Sequence, residues 1–151
     1  MPLTQQRANV VWQGKLTDGS GKLTVGSGAV PEQVVTFKAR TEGGEKTTTP
    51  EELLAAAHAI CYSMSLSNRL TQNGTPPERL EVTAVCGLDR VEGGLKIGPM
   101  QLSVTGSVKG LSSQDFERLA AEAEQKCPVS NALRGNMEIE LQAGLARVST
   151  G

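Results

Sequence analysis

The stretch TPEELLAAAHAICYSM, residues 49–64, decides the fold of this chain. Thr49 is a good helix N-cap, Pro50 suits the first helical position, and a glutamate three residues after the cap completes a capping box. The following residues are rich in alanine, leucine, serine and methionine, which favour a helix. Gly74 and the prolines after it stop the pattern. The sequence therefore predicts one long helix over about residues 50–73, and because few charges interrupt it we expect it to be largely buried.

Both flanks of this helix carry β-strand patterns. Before it, short β-type segments at 8–13, 22–25 and 33–39 alternate with glycine-rich turns. After it, apolar and polar side chains alternate on both sides of a Glu-Gly-Gly turn, which predicts a hairpin. An α+β fold follows. The predicted elements, within a single domain over residues 1–151, are a β-rich region at 1–49, the central helix, a hairpin at 79–108, a helix at about 112–126, a short helix at 129–134 and a strand at 137–145.

Composition excludes several classes of function. The 151 residues suit one domain with its own core. Because 15 basic and 16 acidic side chains nearly balance and aromatic residues make up only 3%, the chain lacks the surface of a nucleic-acid-binding protein. The longest apolar stretch, around residues 53–61, is too short to span a bilayer, and residues 1–12 hold no signal-peptide run. We expect a soluble, cytoplasmic protein that binds neither nucleic acid nor membrane.

Three cysteines are the first candidates for chemistry. Cys61, Cys86 and Cys127 are too few and too widely spaced for the disulfide framework of a secreted domain. Cys61 lies inside the long helix, where a buried and inert thiol is the simpler interpretation. Pro128 places Cys127 at the start of a short helix, where unpaired backbone N–H groups favour a thiolate, although a poor cap without chemistry is the alternative. Cys86 lies in a strand pattern and suits packing.

The remaining candidates are one histidine and two charged residues. His58 precedes Cys61 by one helical turn, so it could act as a base or a metal ligand. The chain has no Cys-x-x-Cys or His-x-x-x-His spacing, and a hydrogen-bonded structural histidine is the simpler interpretation. Taken singly, Arg40 and Glu51 are ordinary solvated charges in a loop and at a helix start.

Two segments resemble the signatures of a known family. Residues 49–64 resemble the central-helix signature of the OsmC/Ohr family of osmotically inducible and organic-hydroperoxide-resistance proteins, and CPVSNAL at 127–133 resembles its second cysteine motif. Their order and separation agree, and the context of His58 is more similar to the OsmC branch. The resemblance implies an OsmC-like α+β fold with antiparallel β-sheets around a long central helix, assembled as an intertwined homodimer.

The resemblance also implies an activity, the reduction of organic hydroperoxides, and less efficiently of hydrogen peroxide, to alcohols. Cys61 matches the peroxide-attacking cysteine, Cys127 the resolving cysteine, Glu51 the helix-start carboxylate and Arg40 the arginine that the carboxylate orients. Cys61 would become a sulfenic acid and then a disulfide with Cys127. An external thiol or dithiol, such as a lipoyl-bearing protein, would reduce that disulfide, and neither a metal nor another cofactor is needed.

Physical arguments bear on these roles. A free thiol with a pKa near 8.5 is only about 3% ionised at pH 7, and a guanidinium in contact would lower that pKa by a unit or two. Glu51 and Cys61 lie about 15 Å apart along one helix, so they cannot meet within it. Either Arg40 bridges the gap or a second subunit supplies the carboxylate, and the second is our hypothesis. Ile60 and Met64 favour the alkyl part of an organic hydroperoxide.

Two other classes of function fit the same residues. A thiol redox sensor or binding protein would oxidise the cysteines without turnover, and a scaffold would keep them buried and inert.

Overall fold

The computed structural model describes residues 1–147. Residues 148–151, the end of the predicted domain, lie outside the described residues. The chain forms two compact units, one over Met1–Leu53 and one that begins at Leu54. That both units belong to a single domain stays a prediction. The elements are β1 (Ala8–Gln13), β2 (Ser20–Val25), β3 (Gln33–Val35), α1 (Phe37–Glu42), α2 (Pro50–Gln72), β4 (Arg79–Val91), β5 (Gly94–Ser107), α3 (Ser113–Lys126), α4 (Pro128–Leu133) and β6 (Ile139–Leu145).

The first unit contains an antiparallel sheet in the order β1-β2-β3, followed by the short helix α1. The strand predicted at residues 33–39 is wrong in its second half, because the chain turns into α1 at Phe37. The reason is local. The Ala39 backbone N–H donates to Thr36 Oγ1 at 3.1 Å, and this N-cap bond starts a helix where the alternation of side chains suggested a strand.

The long helix α2 begins where the sequence predicts. Pro50 is its first residue, and the Glu52 backbone N–H donates to Thr49 Oγ1 at 3.1 Å. The prediction that α2 is largely buried is wrong in the single chain, since Ile60 and Met64 are 57% and 67% exposed. The single chain buries only the face of α2 that packs into the core. The fully buried residues of that face recur every four positions, at His58, Tyr62, Leu66 and Leu70.

The second unit contains a sheet in the order β4-β5-β6. β4 and β5 form the predicted antiparallel hairpin, turning at Gly93, whose φ of 88° suits glycine. The expectation of antiparallel sheets is wrong for β6, which pairs in parallel with β5. Parallel neighbours need a crossover connection. The helices α3 and α4, which lie between these two strands in sequence, provide it.

The core of the second unit packs α2 and α3 with the inner face of this sheet. Ser112 caps α3 by accepting the Asp115 backbone N–H at 3.1 Å, and Phe116, Leu119 and Ala120 on its inner face are fully buried. Cys127 belongs to the same buried cluster, at the junction of α3 and α4. The core therefore fixes the second cysteine against the face of α2 that carries Tyr62. No helix within residues 1–147 is long and apolar enough to cross a membrane.

Candidate active site

The structure brings two of the three cysteines together. Cys127 Sγ lies 3.4 Å from Cys61 Sγ, although 66 positions separate the residues in sequence. Both thiols are free, Cys61 is half-buried on α2 and Cys127 is fully buried. A disulfide bond is about 2.05 Å long, so the two sulfurs need to approach by only about 1.4 Å to form one. Cys86 lies elsewhere, in β4 opposite Met100.

Local sequence explains the placement of Cys127. Its backbone N–H donates to the Glu124 carbonyl at 3.2 Å and so ends α3, and Pro128 then starts α4 because proline suits the first helical position. The Cys127 side chain makes no capping hydrogen bond to α4. Cys127 therefore occupies the N-cap position of α4 without capping it through its side chain, and its sulfur lies beside Cys61 Sγ.

The surroundings of Cys61 within the chain favour the neutral thiol. Burial raises the pKa of Cys61, a hydrogen bond with the Val129 backbone acts in the opposite direction, and the nearby Cys127 thiol raises the pKa further. The thiolate expected from the sequence therefore needs a positive charge beyond these contacts. Sequence reasoning missed Val129, because the contact joins α2 to α4 and leaves no local pattern.

Arg40 and Glu51 form a two-pronged ion pair in the first unit. Arg40 Nε and Nη2 donate to Glu51 Oε1 at 3.0 and 2.7 Å. The Glu51 side chain is only 8% exposed and that of Arg40 is 29% exposed, so the alternative of ordinary solvated charges is wrong. Arg40 lies on α1 and Glu51 in the first turn of α2. The fork fixes the plane of the guanidinium group and leaves one nitrogen, Nη1, outside this pair.

An apolar cavity lies beside this ion pair, with a volume of about 160 Å³. Sequence reasoning missed this cavity, because its lining residues are scattered along the chain. The available signal was weak: the chain has only four aromatic residues, and two of them, Trp12 and Phe37, line the cavity. The lining residues are Trp12, Leu16, Val35, Thr36, Phe37, Arg40, Thr48 and Pro50.

His58 is a buried hydrogen-bonded side chain. Its Nε2 lies 2.6 Å from Ser130 Oγ, and both residues are fully buried. Burial lowers the pKa of His58, so the neutral ring is favoured. Within residues 1–147, His58 Nδ1 has no hydrogen-bond partner, and no cluster of three or more histidine, cysteine, aspartate or glutamate side chains is arranged to hold a metal ion. The structural interpretation of His58 agrees with this geometry, and its partner Ser130 was not foreseen.

Comparison with known proteins identifies the class. The family model described as OsmC-like protein matches residues 43–142, and the chain belongs to that family. Over 131 residues it is 37% identical to the peroxiredoxin OsmC of Escherichia coli strain K12, covering 87% of this chain and 91% of the relative. Over 124 residues it is 30% identical to the organic hydroperoxide resistance protein OhrB of Bacillus subtilis strain 168, covering 82% and 88%.

Solved structures agree with the fold. An organic hydroperoxide resistance protein OsmC from Legionella pneumophila superposes with a TM-score of 0.77 at 26% identity, covering 95% of this chain and 99% of the other. The crystal structure of OhrB from Bacillus subtilis gives a TM-score of 0.76 at 26% identity, covering 94% and 99%. The family resemblance and the OsmC-like α+β fold expected from the sequence are confirmed.

Proposed function

We propose that this protein is a thiol-dependent peroxidase that reduces organic hydroperoxides to alcohols, with Cys61 as the attacking cysteine and Cys127 as the resolving cysteine. The observation that carries the proposal is the 3.4 Å separation of the two sulfurs. The names of the relatives, peroxiredoxin OsmC and organic hydroperoxide resistance protein, support the same activity.

The chemistry follows from two thiols in contact. The Cys61 thiolate attacks one peroxide oxygen, the O–O bond breaks, and the alkoxide takes a proton to leave as the alcohol. Cys61 is then a sulfenic acid. The Cys127 thiol attacks its sulfur, a disulfide forms and water leaves. An external thiol or dithiol supplies the two electrons that return both cysteines to thiols, so no metal or other cofactor takes part. We place the reaction in the cytoplasm, where thiols stay reduced.

Arg40 is the cation that ionises Cys61, and Glu51 orients it. The two-pronged contact supports this role, because it holds a permanent charge in one orientation. The ten positions between Glu51 and Cys61 support the arrival of that charge from a second subunit, because they correspond to about 15 Å along α2. The exposed Ile60 and Met64 support a homodimer as well, because an apolar helix face in water favours burial against a partner.

The apolar cavity beside Arg40 receives the alkyl or aryl part of the substrate. Its size, about 160 Å³, and its lining by Trp12, Leu16 and Phe37 favour a bulky hydroperoxide over hydrogen peroxide, which has no apolar part to bury. Each buried methylene group contributes about 0.8 kcal/mol, so a few carbons account for a preference of a hundredfold or more.

Steady-state turnover tests the proposal. The protein with a small dithiol should consume cumene hydroperoxide catalytically, Cys61→Ser should abolish consumption, and Cys86→Ser should leave it unchanged. Mass spectrometry after one equivalent of peroxide should find Cys61 linked to Cys127. Stoichiometric oxidation that stops after one equivalent, with excess dithiol present, would contradict the enzyme and favour the thiol sensor.

A further inference from the structure

Two side-chain contacts join α2 to the N-terminal part of α4. Cys61 meets Cys127 at 3.4 Å, and His58 meets Ser130 at 2.6 Å. His58 and Cys61 are three positions apart on α2, which is close to one helical turn, and Cys127 at the N-cap of α4 is three positions before Ser130. Cys61, the later residue on α2, meets Cys127, the earlier residue at α4, so the two contacts are successive rungs between the same pair of segments. Fixing one rung restricts the other.

The His58–Ser130 rung is well placed to impose this restriction. Both side chains are fully buried, so water does not compete for their hydrogen bond. The residue between Ser130 and the Cys127-Pro128 junction is Val129, whose backbone hydrogen bond reaches the Cys61 thiol. Ser130 is therefore one residue from Val129, whose backbone contacts the Cys61 sulfur, and three residues from Cys127.

Two charged residues near His58, Glu124 and Arg134, do not ionise its ring. They instead pair with each other and connect α4 to α3. Glu124 at the end of α3 raises the pKa of His58 and Arg134 after α4 lowers it, but burial is the largest influence and lowers it. Arg134 Nη2 donates to Glu124 Oε1 at 2.9 Å. This pair ties the C-terminal end of α4 to α3, while the Ser130 contact ties the N-terminal half of α4 to α2. Of these two contacts, the His58–Ser130 hydrogen bond is therefore the one that holds the end of α4 nearest to the Cys61 and Cys127 sulfurs.

We propose that His58 and Ser130 are positioning residues for disulfide formation: their hydrogen bond holds the start of α4 so that Cys127 Sγ stays within reach of the oxidised Cys61. The part of this inference that concerns the peroxide step rests on the proposed function. The part that concerns how the two thiols are held together does not depend on that function. Misplacement of reacting atoms by about 1 Å can slow a reaction about a hundredfold, so loss of the bond slows closure about 10-fold to 100-fold.

A single-turnover experiment separates the two chemical steps. Ser130→Ala removes the hydroxyl, His58→Leu removes the ring nitrogens, and His58→Gln keeps an amide nitrogen able to reach Ser130. After one equivalent of cumene hydroperoxide, a cyclic 1,3-diketone traps sulfenic acid and mass spectrometry counts both oxidised forms. We expect wild-type rates of Cys61 oxidation in all variants, closure about 10-fold to 100-fold slower in Ser130→Ala and His58→Leu, and partial recovery in His58→Gln.

Tyr62→Phe is the matched control. The Tyr62 hydroxyl is fully buried on the same helix, but it donates to the Ala120 carbonyl at 2.9 Å and so ties α2 to α3. This variant should lose thermal stability as Ser130→Ala does and still close the disulfide at the wild-type rate. Equal closure rates in Ser130→Ala, His58→Leu and wild type would overturn the proposal, as would equal slowing in Tyr62→Phe.

A redox equilibrium tests the inference without peroxide. In a glutathione buffer, the Cys61 and Cys127 thiols react with glutathione disulfide to give the protein disulfide and two molecules of glutathione. The equilibrium constant reports how well the fold holds the thiols together. We expect it to fall about 10-fold or more in Ser130→Ala and His58→Leu only. If wild type consumes no hydroperoxide yet this shift is found, the peroxidase is wrong and the positioning role stands. An unchanged constant overturns the positioning role.

Discussion

At the scale of single residues, the contact between Arg40 and Glu51 depends on the shape of the guanidinium group. Two nitrogens of Arg40 donate to Glu51 Oε1. Lysine keeps the charge but presents one flexible ammonium group, so it cannot reproduce the fork. We expect Arg40→Lys to reduce kcat/KM for cumene hydroperoxide about 10-fold to 100-fold while the melting temperature changes little.

Arg79→Lys is the control for this substitution. Arg79 pairs with Glu81 at 3.0 Å, but both side chains are more than 60% exposed, and such pairs contribute little. Its kcat/KM should equal that of wild type. An Arg40→Lys variant with undiminished kcat/KM would contradict the role of the fork.

His58 makes stability depend on pH. Burial lowers its pKa in the folded state below the value of about 6.5 for an unfolded chain, so the unfolded state binds a proton first as pH falls. Stability is therefore full above about pH 6.5 and is lost as pH falls towards the folded pKa, by at most about 1.4 kcal/mol per pH unit. The free energy of unfolding in urea should drop between pH 7.5 and 5.5 more steeply in wild type than in His58→Gln. Equal slopes would count against a neutral, buried His58.

The sequence predicted some of the candidate site residues and missed others for a physical reason. Cys61, Glu51 and Cys127 lie in segments with local signals, a capping box and a helix-starting proline, and the resemblance of these segments to the family signatures singled them out. Ser130 and Trp12 carry no such signal, because their importance arises from contacts with residues distant in sequence. Composition and periodicity describe a residue's own neighbourhood and not the partner that the fold brings to it.

At the scale of elements, one strand prediction was wrong in its second half and another strand was located without its direction, for two different reasons. Alternating side chains gave the periodicity of a strand over residues 33–39, but the hydroxyl of Thr36 captured a backbone N–H and started α1. Periodicity also located β6 without indicating its direction. Direction was fixed by α3 and α4, whose packing on the core returns the chain to the start of β5.

The packing of α3 on the sheet depends on a glycine in β5. A Cβ atom added at Gly106 would lie 2.6 Å from the Phe116 ring, which is fully buried. We expect Gly106→Ala to lower the free energy of unfolding by about 1–3 kcal/mol, because Phe116 must move within a filled core. Chemical denaturation measures the change.

Gly144→Ala in β6 is the matched control for Gly106→Ala. It lies in the same sheet, and a Cβ atom there would meet nothing within 4 Å. This substitution should change the free energy of unfolding by less than about 0.5 kcal/mol. Equal losses in both variants would show that the close approach of Phe116 is not the cause.

At the scale of the whole molecule, the exposed face of α2 predicts self-association. Ile60 and Met64 are 57% and 67% exposed on one apolar face. Because a charge in a buried interface is costly, Ile60→Asp should convert a dimer into monomers in sedimentation velocity at micromolar concentration. Val91→Asp, at a 43% exposed position at the end of β4, should leave the dimer intact. A wild-type protein that sediments as a monomer would refute the homodimer.

Subunit mixing tests whether Arg40 acts on the Cys61 of its partner. In the proposed homodimer, Cys61→Ser and Arg40→Lys should each be impaired when the variant pairs with itself, and the two variants are mixed in equal amounts. After exchange, half of the dimers are mixed, and each mixed dimer has one site with an intact cysteine and an intact arginine only if the two come from different subunits. Activity should then rise to about a quarter of the wild-type value. No rise despite verified exchange would place both residues in one subunit.

The short distance between the Cys61 and Cys127 sulfurs has a consequence for survival of the protein under heavy oxidant exposure. A sulfenic acid can meet a second peroxide molecule and become a sulfinic acid, which ordinary thiols do not reverse. That event depends on peroxide concentration, whereas attack by a neighbouring thiol at 3.4 Å does not. The geometry therefore sets the peroxide concentration at which the two fates are equally frequent: well below it most turnovers end in the reversible disulfide, and well above it the cysteine is lost to irreversible oxidation.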